Sequence, residues 1–320
     1  MRSVDCARDC AGRVARRHVA AAAAGEVAID TSDADEIGRQ ADRIEEATPP
    51  PTPVIYETVR RNGEEEMSRP PWSLAWSGVA AGLSISFSLF AQATLRQFLP
   101  DAPWRELVAA LGYPVGFVMV ILARQQLFTE NTITVILPLL AEPTRSNFGR
   151  SARLWMIVLC ANLVGTGLAA LLCTLTPALE PALLEQMRVI SRHAMAHEFW
   201  PMLLRGVGAG YLMAATVWLM PGAGPAKFHV VAMMTYLIAA GGFAHIITGS
   251  LEAYLLLLNG ELSWVDALSG FAIPALLGNI IGGSVLFAMM AYAQVRHEIE
   301  AQTTTTPPAR KRGPHHESPS

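Results

Sequence analysis

The sequence predicts an all-α integral membrane protein with six transmembrane helices, of which the second and the fifth are interrupted midway. Three features lead to this prediction: an apolar composition, long uncharged blocks, and polar or glycine-rich stretches inside two predicted spans. Of the 320 residues, 52% are hydrophobic and only 16% are charged, and the mean hydropathy is +0.32. Such a composition is too apolar for an ordinary soluble domain.

The apolar residues form blocks free of Asp, Glu, Lys and Arg, each near or above the ~20 residues that a helix needs to cross a bilayer. These blocks are Pro70 to Leu95, Leu154 to Leu179, Gly206 to Ala226, Phe228 to Leu251 and Ala267 to Val295. A further segment is apolar from Leu107 to Ala123 and from Asn131 to Ala141, with Arg124 and Glu130 between the two runs. As one interrupted span it brings the total to six, so both termini lie on the same side.

Basic residues indicate that this side is the cytoplasm, because Lys and Arg accumulate in cytoplasmic loops. The residues on that side are Arg60, Arg61, Arg69, Arg145, Arg150, Arg153, Arg296, Arg310, Lys311 and Arg312, against Arg96, Arg105, Arg188 and Arg192 on the other. We therefore predict an inner (plasma) membrane protein with a membrane domain over residues 70–296. Residues 1–69 and 297–320 are polar and are predicted to be mostly disordered cytoplasmic tails, with a short helix over residues 53–67.

The polar residues exclude several classes of partner. The net charge is −3, and no basic stripe is interleaved with aromatic residues, so nucleic acid is not expected to bind. Cys160 and Cys173 would lie ~20 Å apart along one helix, too far for a disulfide. Cys6 and Cys10 have no second ligand pair at zinc spacing. We expect no metal and no cofactor, and membrane lipid as the surrounding partner.

Two short segments indicate an internal repeat. Asn162-Leu163-Val164-Gly165 in the third span resembles Asn279-Ile280-Ile281-Gly282 in the sixth, and Thr129 precedes Asn162 by 33 residues while His245 precedes Asn279 by 34. Taken by itself, such a pattern is explained by small residues at helix crossings. The shared spacing to an interruption, however, favours a duplicated unit. With three spans in each unit, the two units must have opposite orientations, which is an inverted 3+3 repeat.

The interruptions, at Leu127-Phe128-Thr129 and Phe243-Ala244-His245, are predicted to face a solute path. In hydrocarbon a broken helix is tolerated only against protein or a water-filled cavity. The following half-helices are predicted to begin near Glu130 and Ile246, where free amide groups suit an anion. Gly241-Gly242 supplies the flexible backbone that the second interruption needs.

His245 is the main candidate for a functional side chain, because it places a group with a pKa near neutrality inside an uncharged span. Thr129 is predicted to hydrogen-bond to His245 or to a passing solute, or to cap the half-helix. His229 is interpreted as an interfacial residue. Candidate constriction residues, each of which alone is more often a packing or lipid contact, are Phe128, Leu127, Tyr113, Ile238 and Phe243. Asn162 and Asn279 complete the predicted pore site.

The membrane region resembles the formate and nitrite transporter family. The resemblance covers Trp72 to Val295, and its most specific pieces are Gln126-Leu127-Phe128-Thr129-Glu130-Asn131-Thr132, Gly242-Phe243-Ala244-His245 and Gly278-Asn279-Ile280-Ile281-Gly282-Gly283. It implies an aquaporin-like fold, a homopentamer with one pore in each subunit, and no enzymatic activity. The implied substrates are small monovalent anions or their acids, such as formate, nitrite, hydrosulfide, lactate and acetate.

The resemblance also implies roles for single residues. His245 resembles the central pore histidine and Thr129 the loop threonine that faces it, with Leu127 and Tyr113 at constriction positions. Four residues depart from the family pattern: Ile238 replaces a constricting Phe, Gly210 an Asn, Ala244 a Glu, and Glu130 a small residue. The chain is therefore expected to belong to a divergent branch.

These observations favour passage of a small anion, with formate or nitrite first, that is protonated through His245 so that a neutral acid crosses the apolar constrictions. One alternative is an aquaporin-like channel for neutral solutes, although Asn-Pro-Ala is absent from both interruptions. Another is a haem protein using His229 and His245, which would lie ~24 Å apart along a continuous helix. A third is a membrane protein of the same fold that transports nothing.

Overall fold

The computed structural model describes residues 49–296. The predicted disordered tails and the Cys6–Cys10 pair lie largely or wholly outside these residues. Within them the secondary structure is helical, as predicted. The helices are α1 (Thr52–Ser68), α2 (Pro71–Phe98), α3 (Arg105–Ala109), α4 (Pro114–Leu122), α5 (Asn131–Thr134), α6 (Ile136–Ala141), α7 (Arg145–Leu175), α8 (Pro181–Met195), α9 (Phe199–Leu219), α10 (Lys227–Ala240), α11 (Ile246–Leu258), α12 (Trp264–Asp266) and α13 (Ile273–Ile280).

Five helical segments of the described chain are long and apolar enough to cross a membrane. They are Pro71–Phe98, Arg105–Leu122, Arg145–Leu175, Phe199–Gly222 and Trp264–Arg296. The last includes α12, α13 and two π-helical stretches, Ala267–Ala272 and Ile281–Ala288. The predicted fifth span is divided between α10 and α11, which have 14 and 13 residues and are each too short to cross alone. An all-helical, multi-spanning architecture is therefore confirmed.

Close helix crossings explain the glycines of the two similar segments. A Cβ on Gly165 of α7 would lie 2.3 Å from the Val79 carbonyl oxygen of α2, and one on Gly282 would lie 2.1 Å from that of Val207 in α9. These backbones approach within a distance that no other residue type permits. The glycines thus serve helix packing in both places, which leaves the asparagines of the segments to be explained separately.

Helix α1 coincides with the short helix predicted over residues 53–67, and one of its faces is buried. Tyr56, Val59, Gly63 and Met67 recur at helical spacing and are buried. The opposite face carries ion pairs, and hydrogen bonds from Arg60 are the main cause that lowers the pKa of Glu57 to about 2. The helix is therefore amphipathic, with its apolar stripe packed on the rest of the protein.

Replacing Gly63 with Ala is expected to lower the free energy of unfolding by about 1–3 kcal/mol, the usual cost of overpacking. A Cβ at Gly63 would lie 1.8 Å from the Thr134 carbonyl oxygen, so α1 must shift away. Thermal unfolding in detergent measures the effect. Gly149→Ala is the matched control, because a Cβ there meets nothing within 4 Å. Equal melting temperatures for the two variants would contradict the close packing of α1.

Candidate functional site

Non-helical segments separate α4 from α5 and α10 from α11, and both segments overlap the predicted interruptions. Helix α4 ends at Leu122 and α5 begins at Asn131, while α10 ends at Ala240 and α11 begins at Ile246. In the second interruption Gly242 has φ +62°, and a Cβ there would lie 2.6 Å from a guanidinium nitrogen of Arg205. The positive φ is what favours glycine here, since the end of the flexible Arg205 side chain could move aside. The half-helices α5 and α11 begin within one residue of the predicted positions, but the first interruption starts at Ala123, four residues before Leu127.

Asn162 holds the backbone of the first interruption. Its Oδ1 accepts a hydrogen bond of 2.9 Å from the Phe128 amide, and its Nδ2 donates to the carbonyl oxygens of Gln126 and Gly78, each at 2.8 Å. The side chain is fully buried. A broken helix leaves backbone groups without partners, and in a membrane protein each must be paired internally. Asn162 supplies those partners from α7.

Asn279 makes the same set of bonds at the second interruption. Its Oδ1 accepts from the Ile246 amide at 2.9 Å, and its Nδ2 donates to Ala244 at 2.8 Å and to Gly206 at 2.9 Å. The bonds make Phe128 equivalent to Ile246, and hence Leu127 to His245. By spacing alone Thr129 matched His245, but the bonds place the counterpart of His245 two residues earlier, at Leu127. The side chains of both asparagines bond to backbone groups of the interruptions. That they also line the pore stays a prediction.

His245 and Thr129 lie in direct contact, 2.7 Å apart between Nε2 and Oγ1, and both are almost fully buried. The ring also caps α11, since Nδ1 accepts the Thr248 amide at 3.2 Å. Because Nδ1 is an acceptor, the neutral ring carries its proton on Nε2 and donates it to Thr129 Oγ1. Thr129 makes no cap of its own; Glu130 occupies the N-cap position of α5 without a side-chain bond.

Further hydrogen bonds extend this pair into a chain with one direction. The Tyr113 hydroxyl donates to Thr248 Oγ1 at 3.0 Å, and Thr248 Oγ1 lies 2.9 Å from His245 Nδ1, an acceptor that it shares with the Thr248 amide. With the ring proton on Nε2, the order of donation is Tyr113, Thr248, His245, Thr129. No acceptor for the Thr129 hydroxyl proton occurs among residues 49–296. The chain therefore ends in a free donor at Thr129.

Phe117 completes the surroundings of the ring. It packs edge-on against His245 with ring centroids 5.0 Å apart, and it also contacts Tyr113 at 5.1 Å. The chain of hydroxyl and imidazole groups thus runs through apolar packing, where hydrogen bonds are electrostatically stronger than in water. Sequence reasoning missed Phe117, since a phenylalanine in a span gives no signal of its own.

A cavity of about 110 Å³, here called the histidine cavity, lies against His245. Its wall includes two other predicted site residues, Tyr113 and Phe243, together with Arg205 and Glu252. His193 and His197 lie near its edge. Burial, and then the nearby charges of Arg205 and His193, lower the pKa of His197. Arg205 therefore supplies the fixed positive charge of this cavity.

A second cavity of about 410 Å³, here called the glutamine cavity, lies against the first interruption and includes Gln126 and Glu130. Gln126 is held in place on both sides: its Nε2 donates to Glu66 at 2.7 Å and its Oε1 accepts from Asn131 at 3.1 Å. Oε1 of Glu130 and Oε1 of Gln125 are buried without a hydrogen-bond partner among the described atoms. Polar groups thus face both interruptions, each from its own cavity.

The remaining predicted constriction residues occupy different places. Leu127 and Phe128 are each 1% exposed and Ile238 is fully buried, and none of the three is part of the wall of either cavity. Phe128 packs edge-on against Trp155 at 5.7 Å. Phe243 is 37% exposed and lines the histidine cavity. The structure thus brings Tyr113, Phe243 and His245 to one cavity, while their action as constrictions stays a prediction.

Two polar residues of α11 were missed. Thr248 follows His245 by three residues, the spacing of a capping contact, and this pattern could have revealed it. Glu252 directly follows the apolar block that runs from Phe228 to Leu251, and the sequence analysis assigned it no role. In the structure α11 continues to Leu258 and Glu252 is only 7% exposed.

A comparison with known proteins decides the family. The model of the formate/nitrite transporter family matches residues 53–293, about three quarters of the chain. The chain belongs to the formate/nitrite transporter family. A relative in Escherichia coli (strain K12), inner membrane protein YfdC, is 41% identical over 268 residues, which is 84% of this chain and 86% of the relative. The family consists of transporters and channels and not of enzymes, and the chain is a multi-pass inner membrane protein.

Solved structures of the family share the fold. An ion channel of the family has a TM-score of 0.67 at 18% identity, over 75% of this chain and 98% of the other. A pentameric formate channel with formate bound has a TM-score of 0.61 at 20% identity, over 71% of this chain and 98% of the other. At this identity the likeness establishes the arrangement of helices alone.

Proposed function

We propose that this protein is a transmembrane channel or transporter for small monovalent anions or their acids, with formate or nitrite first, and that transport is linked to protons through His245. The observation that carries the proposal is the directed hydrogen-bond chain from Tyr113 to Thr129, which passes through His245. A formate-bound structure among those with the same fold supports the choice of substrate.

The proposed architecture has six crossings. The interrupted segment from α3 to α6 makes one crossing, and α10 with α11 makes another. The matching bonds of Asn162 and Asn279 support an inverted 3+3 repeat, with a membrane domain over residues 70–296 and both termini in the cytoplasm. The pentameric state of the formate channel with the same fold supports a homopentamer.

The proposed mechanism moves one proton along the hydrogen-bond chain. An anion is drawn towards the N-terminus of α11, where the helix dipole favours negative charge. Thr129 donates its hydroxyl proton to the anion and takes the Nε2 proton of His245. The ring regains a proton at Nδ1 from Thr248, which is resupplied by Tyr113 from the histidine cavity. The substrate then crosses the apolar packing as a neutral acid, which avoids the cost of desolvating a charge.

Removing the Thr129 hydroxyl is expected to reduce formate flux in proteoliposomes about tenfold, the equivalent of one net hydrogen bond of about 1.4 kcal/mol. Thr129→Val keeps the shape of the side chain but removes the donor, whereas Thr129→Ser keeps the donor. The serine variant is expected to retain most of the flux. If the valine variant transports formate as fast as the wild type, with both variants equally stable, the chain does not end at Thr129.

A channel for neutral solutes is the alternative that shares this fold class. Light-scattering measurements of vesicle swelling separate the two functions. The proposed anion pathway predicts formate and nitrite flux that increases at acidic pH and slow glycerol entry. Rapid glycerol or water entry without anion flux would favour the neutral-solute channel, and no flux of any solute would favour a protein without transport activity.

A further inference from the structure

Glu252 is a buried carboxyl that the proposed mechanism leaves unused. It lies in α11, seven residues after His245 and four after Thr248, and this spacing puts all three residues on one face of the helix. Its side chain is 7% exposed and lines the histidine cavity. A substrate that enters this cavity therefore meets Glu252 in the same space as His245.

The Glu252 carboxyl has no hydrogen-bond or ion-pair partner within residues 49–296. The charged and titratable groups that share the cavity are Arg205 from α9, His193 from α8, His197 after α8, Tyr113 before α4, and His245 at the start of α11. Arg205 donates to the Gly242 carbonyl oxygen at 2.6 Å. An ionised carboxyl without a partner is costly in a buried position. Burial of Glu252 is therefore favourable only when the carboxyl is protonated or when a bound ligand shares a proton with it.

The protonation state of Glu252 decides how it treats an anion. Protonated, it can donate an O–H···O hydrogen bond to a carboxylate, which is one of the strong, charge-assisted kinds. Ionised, it repels an anion but accepts the proton of a neutral acid. The two routes end in one complex, in which two carboxyl groups share one proton and one negative charge. The sum of protons and charges is the same by either route.

We propose that Glu252 is a substrate-binding residue of the histidine cavity, which holds a small monocarboxylate by sharing one proton with it before the substrate reaches His245 and Thr129. This inference rests on the proposed function for the class of substrate. Proton sharing requires two groups of similar acid strength, so weak carboxylic acids such as formic acid are favoured. Anions of strong acids, such as nitrate, are disfavoured.

The first test is the pH dependence of the half-saturating formate concentration in proteoliposomes. In the wild type this concentration is expected to rise about tenfold for each unit of pH at alkaline pH, because binding takes up one proton. Glu252→Gln keeps a donor of similar size that cannot ionise, so this rise is expected to disappear while maximal flux still depends on pH through His245. Glu142→Gln, an exposed matched control, is expected to keep the wild-type slope. An unchanged slope in Glu252→Gln overturns the proposal.

Infrared difference spectroscopy of the purified full-length protein tests the same inference without transport. The carbonyl band of protonated Glu252 is identified by its loss in Glu252→Gln, which separates it from Glu130. Formate is expected to shift this band and nitrate to leave it unchanged. If formate does not shift this band, the proposal is overturned, even where formate is transported. A shifted band in a protein that transports no anion upholds Glu252 as a binding residue and refutes the proposed function instead.

Discussion

Replacing His245 with Asn is expected to lower maximal formate flux about a hundredfold and to remove its pH dependence, since a positioned acid–base group typically contributes about 10²–10⁴-fold. The variant is chosen because it preserves the fold at the interruption. An asparagine oxygen can accept the Thr248 amide in place of Nδ1, so the cap of α11 is retained. What is lost is the group that passes a proton from Thr248 to Thr129.

Flux is measured in proteoliposomes across a range of pH, with unfolding in detergent as a check on stability. The matched control is His229→Asn, because His229 is exposed and lies outside the hydrogen-bond chain. This control is expected to transport formate like the wild type. Flux and pH dependence unchanged in His245→Asn would show that the histidine carries no proton in transport.

Truncating Asn279 to Ala is expected to destabilise the protein by more than about 3 kcal/mol. The change leaves the Ile246 amide and the carbonyl oxygens of Gly206 and Ala244 without this partner, and each orphaned buried group costs about 1–3 kcal/mol. Asn162→Ala is expected to act in the same way at the first interruption. Both variants are expected to lose the geometry that holds His245 against Thr129.

Thermal unfolding in detergent measures this effect. Asn259→Ala is the control, since the Asn259 side chain makes one local hydrogen bond, to the Leu255 carbonyl oxygen at 2.7 Å. Its expected change is below about 1.5 kcal/mol, the usual contribution of a single bond. A melting temperature of Asn279→Ala equal to that of the wild type would mean that the interruption is held by other contacts.

The interruptions could be located from sequence because they disturb hydropathy at Arg124, Glu130 and the glycines before Phe243. Their support was harder to predict. A buried asparagine in a span must bond to something, but its partners lie more than thirty residues away in the chain. Spacing alone therefore matched Thr129 with His245, whereas the hydrogen bonds match His245 with Leu127, two residues earlier.

The cavity walls were only partly predictable. Burial of Leu127, Phe128 and Ile238 away from both cavities depends on side-chain packing among several helices, which periodicity does not encode. Glu252 was missed because it follows the uncharged block, and ionisable side chains are rare inside a span. The helix continues past it, and the cavity beside it accommodates its polar group.

Simultaneous recording of formate uptake and internal pH in proteoliposomes tests the central claim most directly. Protein-free liposomes provide the baseline for formic acid that crosses the lipid itself. Proton-linked passage through His245 predicts that each formate ion enters with one proton, and that His245→Asn loses the protein-dependent part of both signals. Protein-dependent formate uptake without internal acidification would contradict it.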